Sequence, residues 1–138
     1  MNTETVQPRT PYEALGGRAM IERIVNRFYD LIESDPAFAE LRAMHSADLT
    51  PMRQSLAGWL CAWAGGPGDW FEQNPGKCMM SLHRSIGVGR EAADQWADAM
   101  ARAIAECGPP DRALGKAMAE RLDIMARAMV IDTAQPPI

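Results

Sequence analysis

His83 is the residue whose chemistry first needs an explanation. It lies in an apolar segment, residues 78–86, directly before the glycine-containing turn 87–89. An imidazole is polar and titrates near neutrality, so a buried one needs a partner. Trp96 follows thirteen residues later, on the next predicted helix, in a chain with 10 methionines and 4 tryptophans. One partner that suits such surroundings is a metal held inside an apolar cofactor; the alternative is that His83 only packs in a core.

Other kinds of catalytic or metal site find little support in the sequence. No G-x-S-x-G segment marks a nucleophilic serine, and no glycine-rich phosphate loop of the Walker or dinucleotide kind occurs. Two histidines and three scattered cysteines (Cys61, Cys78 and Cys107) offer no zinc-ligand spacing. Such cysteines favour reduced thiols, which are typical of the cytoplasm. Cys78, five residues before His83, is either a redox-sensitive thiol or an inert buried one, and we favour the second.

Length and charge limit the remaining classes. A chain of 138 residues with 47% apolar residues fits a single domain with a substantial core. Its net charge of −4, without a basic block, makes binding to nucleic acid unexpected. No apolar run approaches the roughly 18 residues that span a bilayer, and the first residues lack a signal-peptide core. We therefore expect a cytoplasmic protein that binds neither nucleic acid nor membrane.

Helical periodicity runs through the chain and predicts an all-α fold. Apolar residues recur at helical spacing in four stretches, which are residues 18–33, 50–63, 90–107 and 111–129. Tyr29 lies at the edge of the first apolar face. Thr10 and Thr50, each followed by proline, are expected to cap helices, and Asp111 is expected to cap the last one.

Shorter features connect these helices. The Ser34-Asp35-Pro36 sequence predicts a short helix that ends near His45, and residues 69–77 are expected to form a loop. The two C-terminal helices should form an antiparallel pair. Residues 1–9 are expected to be a flexible arm, residues 10–131 the folded domain, and residues 132–138 a tail.

The order and spacing of several short motifs resemble the truncated, two-over-two haemoglobins of the bacterial group II subfamily. The matching segments are Tyr12-Glu13-Ala14-Leu15-Gly16-Gly17, Phe28-Tyr29-Asp30, Leu41-Arg42-Ala43-Met44-His45 with Asp48-Leu49, Trp63-Ala64-Gly65-Gly66-Pro67, and His83 with Trp96. The resemblance covers roughly residues 11 to 131. It implies a globin-like two-over-two helical sandwich in a single domain.

The same resemblance implies that the chain binds haem b (iron protoporphyrin IX), with His83 as the proximal ligand of the iron. It implies that Tyr29 and Trp96 donate hydrogen bonds on the distal side, with His45 as a third polar group. Three roles for His45 remain open: a bond to the distal ligand, the capping of a helix end, or ligation of the iron. The apolar residues implied are Met52 and Leu56 beside the ligand, and Trp59, Leu82, Val88 and Met125 against the porphyrin.

The chain departs from the family pattern near the expected edge of the haem. Ser55 stands where a basic residue often pairs with a propionate, and Met52 stands where small or polar residues are usual. By position, the candidates for propionate partners are Lys77, Arg84 and Arg53. No C-x-x-C-H motif is present, which argues against covalent attachment of a c-type haem.

A phenol O–H and an indole N–H in a dry pocket suit the binding of dioxygen. Both are hydrogen-bond donors, and a bond to a charged group is worth about 1.5–3 kcal/mol. Because about 1.4 kcal/mol is a tenfold change, two such donors could slow oxygen release a hundredfold or more. We therefore expect a protein of oxygen, NO or CO chemistry, or of sensing, rather than of bulk oxygen transport.

Several functional questions stay open at this stage. NO dioxygenase and peroxidase-like activities are both compatible with the pattern, and either would call for a reductase as partner. The chain could act as a monomer or a dimer. The alternative function is that of a haem-free, globin-shaped helical module that works through protein contacts or signalling.

Overall fold

The structure, a computed structural model, describes residues 10–76, 83 and 86–130. Within these ranges the regular structure is helical and no strand occurs. The complete α-helices are α1 (Pro11–Leu15), α2 (Gly17–Ser34), α3 (Ala39–Ala43), α4 (Thr50–Trp63), α5 (Asp69–Gln73), α6 (Arg90–Cys107) and α7 (Arg112–Ala128). His83 and Ile86 also have helical conformation. The predicted all-α class is confirmed.

Two of the expected helix starts are present. Thr10 closes a capping box with Glu13, because its hydroxyl accepts from the Glu13 N–H at 3.1 Å while the Thr10 N–H donates to the Glu13 carboxylate at 3.1 Å. The Asp111 carboxylate accepts from the N–H groups of Ala113 and Leu114 at 3.1 and 3.2 Å. These side chains fix where α1 and α7 begin.

Three local predictions were wrong in detail. Thr50 is the first residue of α4 rather than its cap; its N–H is satisfied by the Asp48 carboxylate at 3.0 Å. The short helix after Asp35 begins as a 3₁₀ turn, Pro36–Phe38, rather than as an α-helix, and α3 ends at Ala43, two residues before His45.

The predicted loop at residues 69–77 was the third error, because it contains helix α5. Its residue Trp70 is buried, and its indole N–H donates to the Ser55 hydroxyl of α4 at 3.0 Å. The polar residues and prolines around this short helix led to the prediction of a loop. Packing of Trp70 on α4, together with this hydrogen bond, stabilises it.

Two antiparallel helix pairs form the two layers. In the first pair the start of α2 meets the end of α4, where the Arg18 guanidinium lies 4.0 Å from the Cys61 sulfur, and Arg53 pairs with Asp30 at the opposite end. In the second pair Arg127, near the end of α7, forms an ion pair with Asp94, near the start of α6. Helix α2 packs across α6, so one pair lies on the other. The expected two-over-two arrangement is confirmed.

The core lies where these four helices meet. The apolar face predicted for α2 is fully enclosed; α2 packs on α4 and α6, and α7 packs on α6. The large side chains that are less than 2% exposed are Phe28, Ile21, Ile24, Ile32, Leu60, Met100, Leu122, Val25 and Cys61. Among the described helices, none has both the length and the apolar character needed to cross a membrane.

Candidate functional site

A cavity of about 260 Å³ opens between the two helix pairs, and its wall is mostly apolar. It is lined from α2, α3, α4, α6, α7 and the short segment around His83. The residues singled out from the sequence that line it are Tyr29, His45, Met52, Leu56, Trp59, His83, Val88, Trp96 and Met125. Lys77, Leu82 and Arg84, together with Cys78, lie outside the described residues. The fold therefore gathers into one cavity side chains that lie far apart in the chain.

The cavity also has lining residues for which no role at the site was predicted from the sequence. They are Leu41, Met44, Ser46, Ser55, Ile86, Ala92, Ala93, Ala126 and Met129. A signal for some of these was present in the helical period. Ala92 and Ala93 lie one turn before Trp96, and Met129 lies one turn after Met125, so they share a helix face with residues already named. The two small alanines leave the space that the indole borders.

Tyr29 is 2% exposed, yet it contributes to the cavity wall. Burial raises the pKa of its phenol well above the ordinary value, while the nearby Arg53 guanidinium opposes that shift. The phenol therefore keeps its proton and remains a donor. The Tyr29 hydroxyl makes no hydrogen bond to another described residue. Every fully enclosed side-chain N or O atom of the described residues has a hydrogen-bond partner, so this hydroxyl oxygen is not fully enclosed. The hydroxyl is thus reachable from the cavity.

Trp96 reaches the cavity from the first turns of α6. Its indole packs edge-on against the ring of Phe28, with centroids 5.3 Å apart, and Phe28 in turn packs edge-on against Tyr29 at 4.9 Å. Phe28 is 0% exposed, so the rings of Trp96 and Tyr29 both pack against a fully buried core residue. Among the described residues, the Trp96 indole N–H has no hydrogen-bond partner. It remains available to a ligand.

His45 lies just beyond α3, and one of its ring nitrogens is already engaged. Its Nδ1 is 2.9 Å from the carbonyl oxygen of Leu41 near the end of α3, which also accepts from the Met44 N–H at 3.1 Å. The ring also packs edge-on against Tyr29, with centroids 5.8 Å apart. Of the three roles left open by the sequence, the helix-end contact is therefore observed. Nε2 is the nitrogen that remains for a ligand.

One face of α4 supplies the flat apolar part of the wall. Met52, Leu56 and Trp59 follow at spacings of four and three residues, which is one face of a helix. Trp59 stacks on Trp63, with centroids 6.1 Å apart and ring planes 19° apart. Leu56 and Trp59 are buried, whereas Met52 is 40% exposed at the mouth of the cavity. This wall suits a flat, largely apolar molecule.

Arg53, a candidate propionate partner from its position, is engaged with α2. Its guanidinium donates to the Asp30 carboxylate at 2.9 Å and to the Asn26 carbonyl at 3.0 Å. The same group lies 5.7 Å from the ring centroid of Tyr29. Arg53 therefore ties α4 to α2 behind the tyrosine.

His83 is half-buried in the cavity wall, next to Ile86 and Val88. Its carbonyl accepts from the N–H of Gly87 at 3.2 Å, and Gly87 has a φ of +78° that few other residues adopt. The turn at Gly87 redirects the chain towards α6. In the described ranges, no group of three or more His, Cys, Asp or Glu side chains could hold a bare metal ion.

A two-over-two helical sandwich around a cavity lined by histidine, tyrosine and tryptophan is the architecture of a small globin. The chain belongs to the bacterial-like globin family, whose model matches residues 10–131. The group II 2-on-2 haemoglobin of Agrobacterium tumefaciens is 29% identical, with a TM-score of 0.84, over 95% of this chain and 98% of that one. The resemblance inferred from the sequence motifs is confirmed.

Two further solved structures show the same likeness. The cold-adapted truncated haemoglobin of Pseudoalteromonas haloplanktis is 27% identical, with a TM-score of 0.85, over 90% of this chain and 99% of that one. The haemoglobin of Chloroflexus aurantiacus is 30% identical, with a TM-score of 0.81, over 91% of this chain and 100% of that one. This chain therefore spans nearly the whole length of these relatives.

The donor set in the cavity fits a haem. Haem is a flat, mainly apolar group that needs apolar walls, one or two axial ligands and a few polar groups near the iron. The α4 face and Met125 provide apolar walls, and His83 provides an imidazole. Tyr29 and Trp96 provide two donors that the described residues leave unused.

Proposed function

We propose that this globin binds haem b, holds the iron through His83, and binds oxygen, NO and CO in the cavity beside Tyr29 and Trp96. The single observation that carries this proposal is that the imidazole, the phenol and the indole line one cavity. Iron in haem supplies a site for a diatomic ligand, and the surrounding side chains decide how long that ligand stays. A haem-free module would have no need for unpaired donors in an apolar cavity.

The two donors would act on the ligand directly. The Tyr29 O–H and the Trp96 N–H can each donate to a ligand that carries negative charge, and both protons persist at physiological pH. Charge-assisted hydrogen bonds in a site of low dielectric are stronger than those in water. Slow release of oxygen would follow, which supports a role in oxygen or NO chemistry, scavenging or sensing rather than transport.

His45 would be the third polar group of the distal side. Its Nδ1 contact with Leu41 fixes the ring from one edge, so Nε2 can interact with a ligand or with the Tyr29 hydroxyl. Leu56, Trp59, Val88 and Met125 would exclude water around the haem plane. Exclusion of water lengthens the life of a bound ligand by protecting its hydrogen bonds.

The edge of the haem would be contacted by residues proposed from the sequence. Lys77 and Arg84 remain the proposed propionate partners, and Leu82 a proposed porphyrin contact, from their positions in the sequence. The cytoplasmic location, the reductase, the monomeric or dimeric state and the NO dioxygenase or peroxidase-like turnover likewise remain predictions from sequence.

Titration of the purified full-length chain with haemin tests the proposal. We expect a Soret band that saturates at one haem per chain. His83→Ala should weaken or shift that band, and added imidazole should restore it by replacing the lost ligand. His45→Ala is the matched control, since it removes the only other histidine and should leave a saturable Soret band.

Two results would contradict the proposal. Absence of any Soret band in the unaltered chain would favour the haem-free interaction module. A His83→Ala spectrum identical to that of the unaltered chain would show that this histidine only packs.

A further inference from the structure

The residues that follow α3 form an exposed corner that contributes to the cavity. Met44, Ser46, Ala47 and Asp48 are all exposed, and His45 is half-buried. Yet Met44, His45 and Ser46 line the cavity. Only the flanking residues Leu41 and Leu49 are buried, which are 5% and 4% exposed. Apolar burial therefore anchors the ends of this corner, residues 44–48, but not its middle.

The middle of the corner is held by one arginine. The two terminal nitrogens of Arg42 donate to successive backbone carbonyls, Nη1 to Ser46 at 3.0 Å and Nη2 to Ala47 at 3.1 Å. A planar guanidinium can satisfy two acceptors at once in this way, and a lysine cannot reproduce that geometry. The Arg42 side chain is 25% exposed, so water competes with these bonds only in part.

The Arg42 guanidinium is in turn anchored to α2. It lies 3.8 Å from one carboxylate oxygen of Glu33, and Arg53 lies 3.9 Å from the other. The carboxylate of Glu33 thus stands between two guanidinium groups. The Ser46 hydroxyl donates to the Asp48 carbonyl at 3.1 Å within the corner, and the Asp48 carboxylate accepts from the Thr50 N–H at 3.0 Å where the corner meets α4. Arg42 is the side chain that connects the middle of the corner to a helix of the core.

The geometry of His45 depends on this corner. Because the Leu41 carbonyl can only accept, a neutral His45 must carry its proton on Nδ1 and keep a lone pair on Nε2. The Met44 and His45 backbone N–H groups also bond back to α3, to Leu41 at 3.1 Å and Arg42 at 3.0 Å. Each of these contacts requires the chain to turn tightly after Ala43.

We propose that Arg42 is a positioning residue: by pinning the Ser46 and Ala47 carbonyls to α2, it holds His45 as the Nδ1–H tautomer and keeps the Nε2 lone pair for the cavity. The consequence for ligand binding rests on the proposed function, but the hold on His45 does not. With Arg42 in place, His45 offers the distal side a hydrogen-bond acceptor opposite in kind to the donors Tyr29 and Trp96. A ligand that both accepts and donates, such as hydrogen peroxide, would then find a partner for its own proton on His45 as well as donors for its lone pairs.

Nitrogen-15 NMR of the imidazole rings tests the tautomer directly, because the chain has two histidines and a His45→Gln variant assigns the signals. The sample is the full-length protein as purified, converted to its diamagnetic ferrous CO complex where it contains haem. In the unaltered chain we expect His45 predominantly as the Nδ1–H tautomer. In Arg42→Met we expect the Nε2–H tautomer, which is commoner in water, to exceed half of the population.

Hydrogen exchange supplies a second readout on the same samples. The Met44 and His45 amides should exchange at least tenfold faster in Arg42→Met, since their bonds to α3 depend on the pinned corner. Arg42→Lys keeps the charge without the planar fork and should give an intermediate rate. Arg27→Met is the matched control, because it removes an arginine of α2 that pairs with Glu106 of α6 and should change neither readout.

The outcomes separate this proposal from the haem proposal. If Arg42→Met keeps both the Nδ1–H tautomer and the slow amide exchange, the positioning role is wrong, whether or not haem binds. If the control Arg27→Met shifts both readouts as much as Arg42→Met, the effect is general loosening and the proposal also fails. A chain that takes up no haem but loses the tautomer in Arg42→Met contradicts only the proposed function.

Discussion

Phe28 and Trp96 meet edge to face with ring centroids 5.3 Å apart, although one lies in α2 and the other in α6. Phe28 is fully enclosed by the core, so it gives the indole a rigid support. Edge-to-face aromatic pairs add about 0.5–1.5 kcal/mol to area burial. The contact joins the two helix layers and fixes one wall of the cavity. A donor supported in this way meets a ligand at little cost in conformational entropy.

Replacement of Trp96 by phenylalanine should therefore raise the oxygen dissociation rate tenfold or more. The ring contact with Phe28 is largely kept, while a hydrogen bond of about 1.5–3 kcal/mol to the bound ligand is lost. Stopped-flow replacement of oxygen by CO measures the rate. Trp63→Phe is the matched control, because Trp63 stacks on Trp59 and does not line the cavity. Equal rates in the unaltered chain and Trp96→Phe would show that Trp96 only packs.

Tyr29 should make the protein less stable in alkali. Burial raises the pKa of this phenol, so above about pH 10 the unfolded state loses the tyrosine proton before the folded state does. The stabilisation is fully present below the unfolded pKa and declines above it by at most about 1.4 kcal/mol per pH unit. Urea unfolding at pH 9, 10 and 11 measures this slope. Tyr29→Phe should show a shallower slope over that interval; identical slopes would mean that the phenol ionises equally in both states.

Gly66 should not tolerate a side chain. A Cβ there would lie 2.5 Å from Cδ1 and 2.6 Å from Cγ of Tyr12, so the ring or the backbone would have to move. We expect Gly66→Ala to lower the free energy of unfolding by about 1–3 kcal/mol, as overpacking does. At Gly68 no heavy atom lies within 4 Å of the added Cβ, so Gly68→Ala should cost only about 0.5 kcal/mol. Urea denaturation compares them, and equal losses would refute the packing argument.

Asp111 should stabilise the last helix through its cap. Its carboxylate accepts two backbone N–H groups at the start of α7, from Ala113 and Leu114. Asp111→Ala is expected to lower the free energy of unfolding by about 0.5–2 kcal/mol. Asp111→Asn keeps a capping oxygen and should retain most of the stability. Thermal and urea unfolding measure both variants, and the cap would have no role if alanine and asparagine behaved alike.

The pattern of apolar residues was enough to predict the long helices, because helix period is a local property. The face of α2 that carries Ile21, Ile24 and Phe28 is buried as expected. Helix ends defined by side-chain caps, at Thr10 and Asp111, were also predictable since the cap bonds span only two or three residues. The motif order from residues 11 to 131 further identified the globin family.

Contacts between distant segments were not predictable in the same way. Helix α5 exists because Trp70 packs on α4 and donates to Ser55, and nothing in residues 69–77 alone signals that partner. The engagement of Arg53 with Asp30 likewise depends on how α4 crosses α2. From its position in the sequence, Arg53 was a candidate partner for a propionate. In the fold, its guanidinium pairs with the Asp30 carboxylate instead.

The sequence by itself determined the all-helical class, the family and the candidate residues His83, Tyr29 and Trp96. Helix period, caps and motif spacing depend on residues close together in the chain, so they can be recognised without the fold. Only the tertiary structure decided that these three side chains line one cavity. It also decided that the His45 Nδ1 contacts the Leu41 carbonyl and that the Arg42 guanidinium donates to the Ser46 carbonyl. Those outcomes depend on packing and hydrogen-bond geometry between helices, which no local pattern encodes.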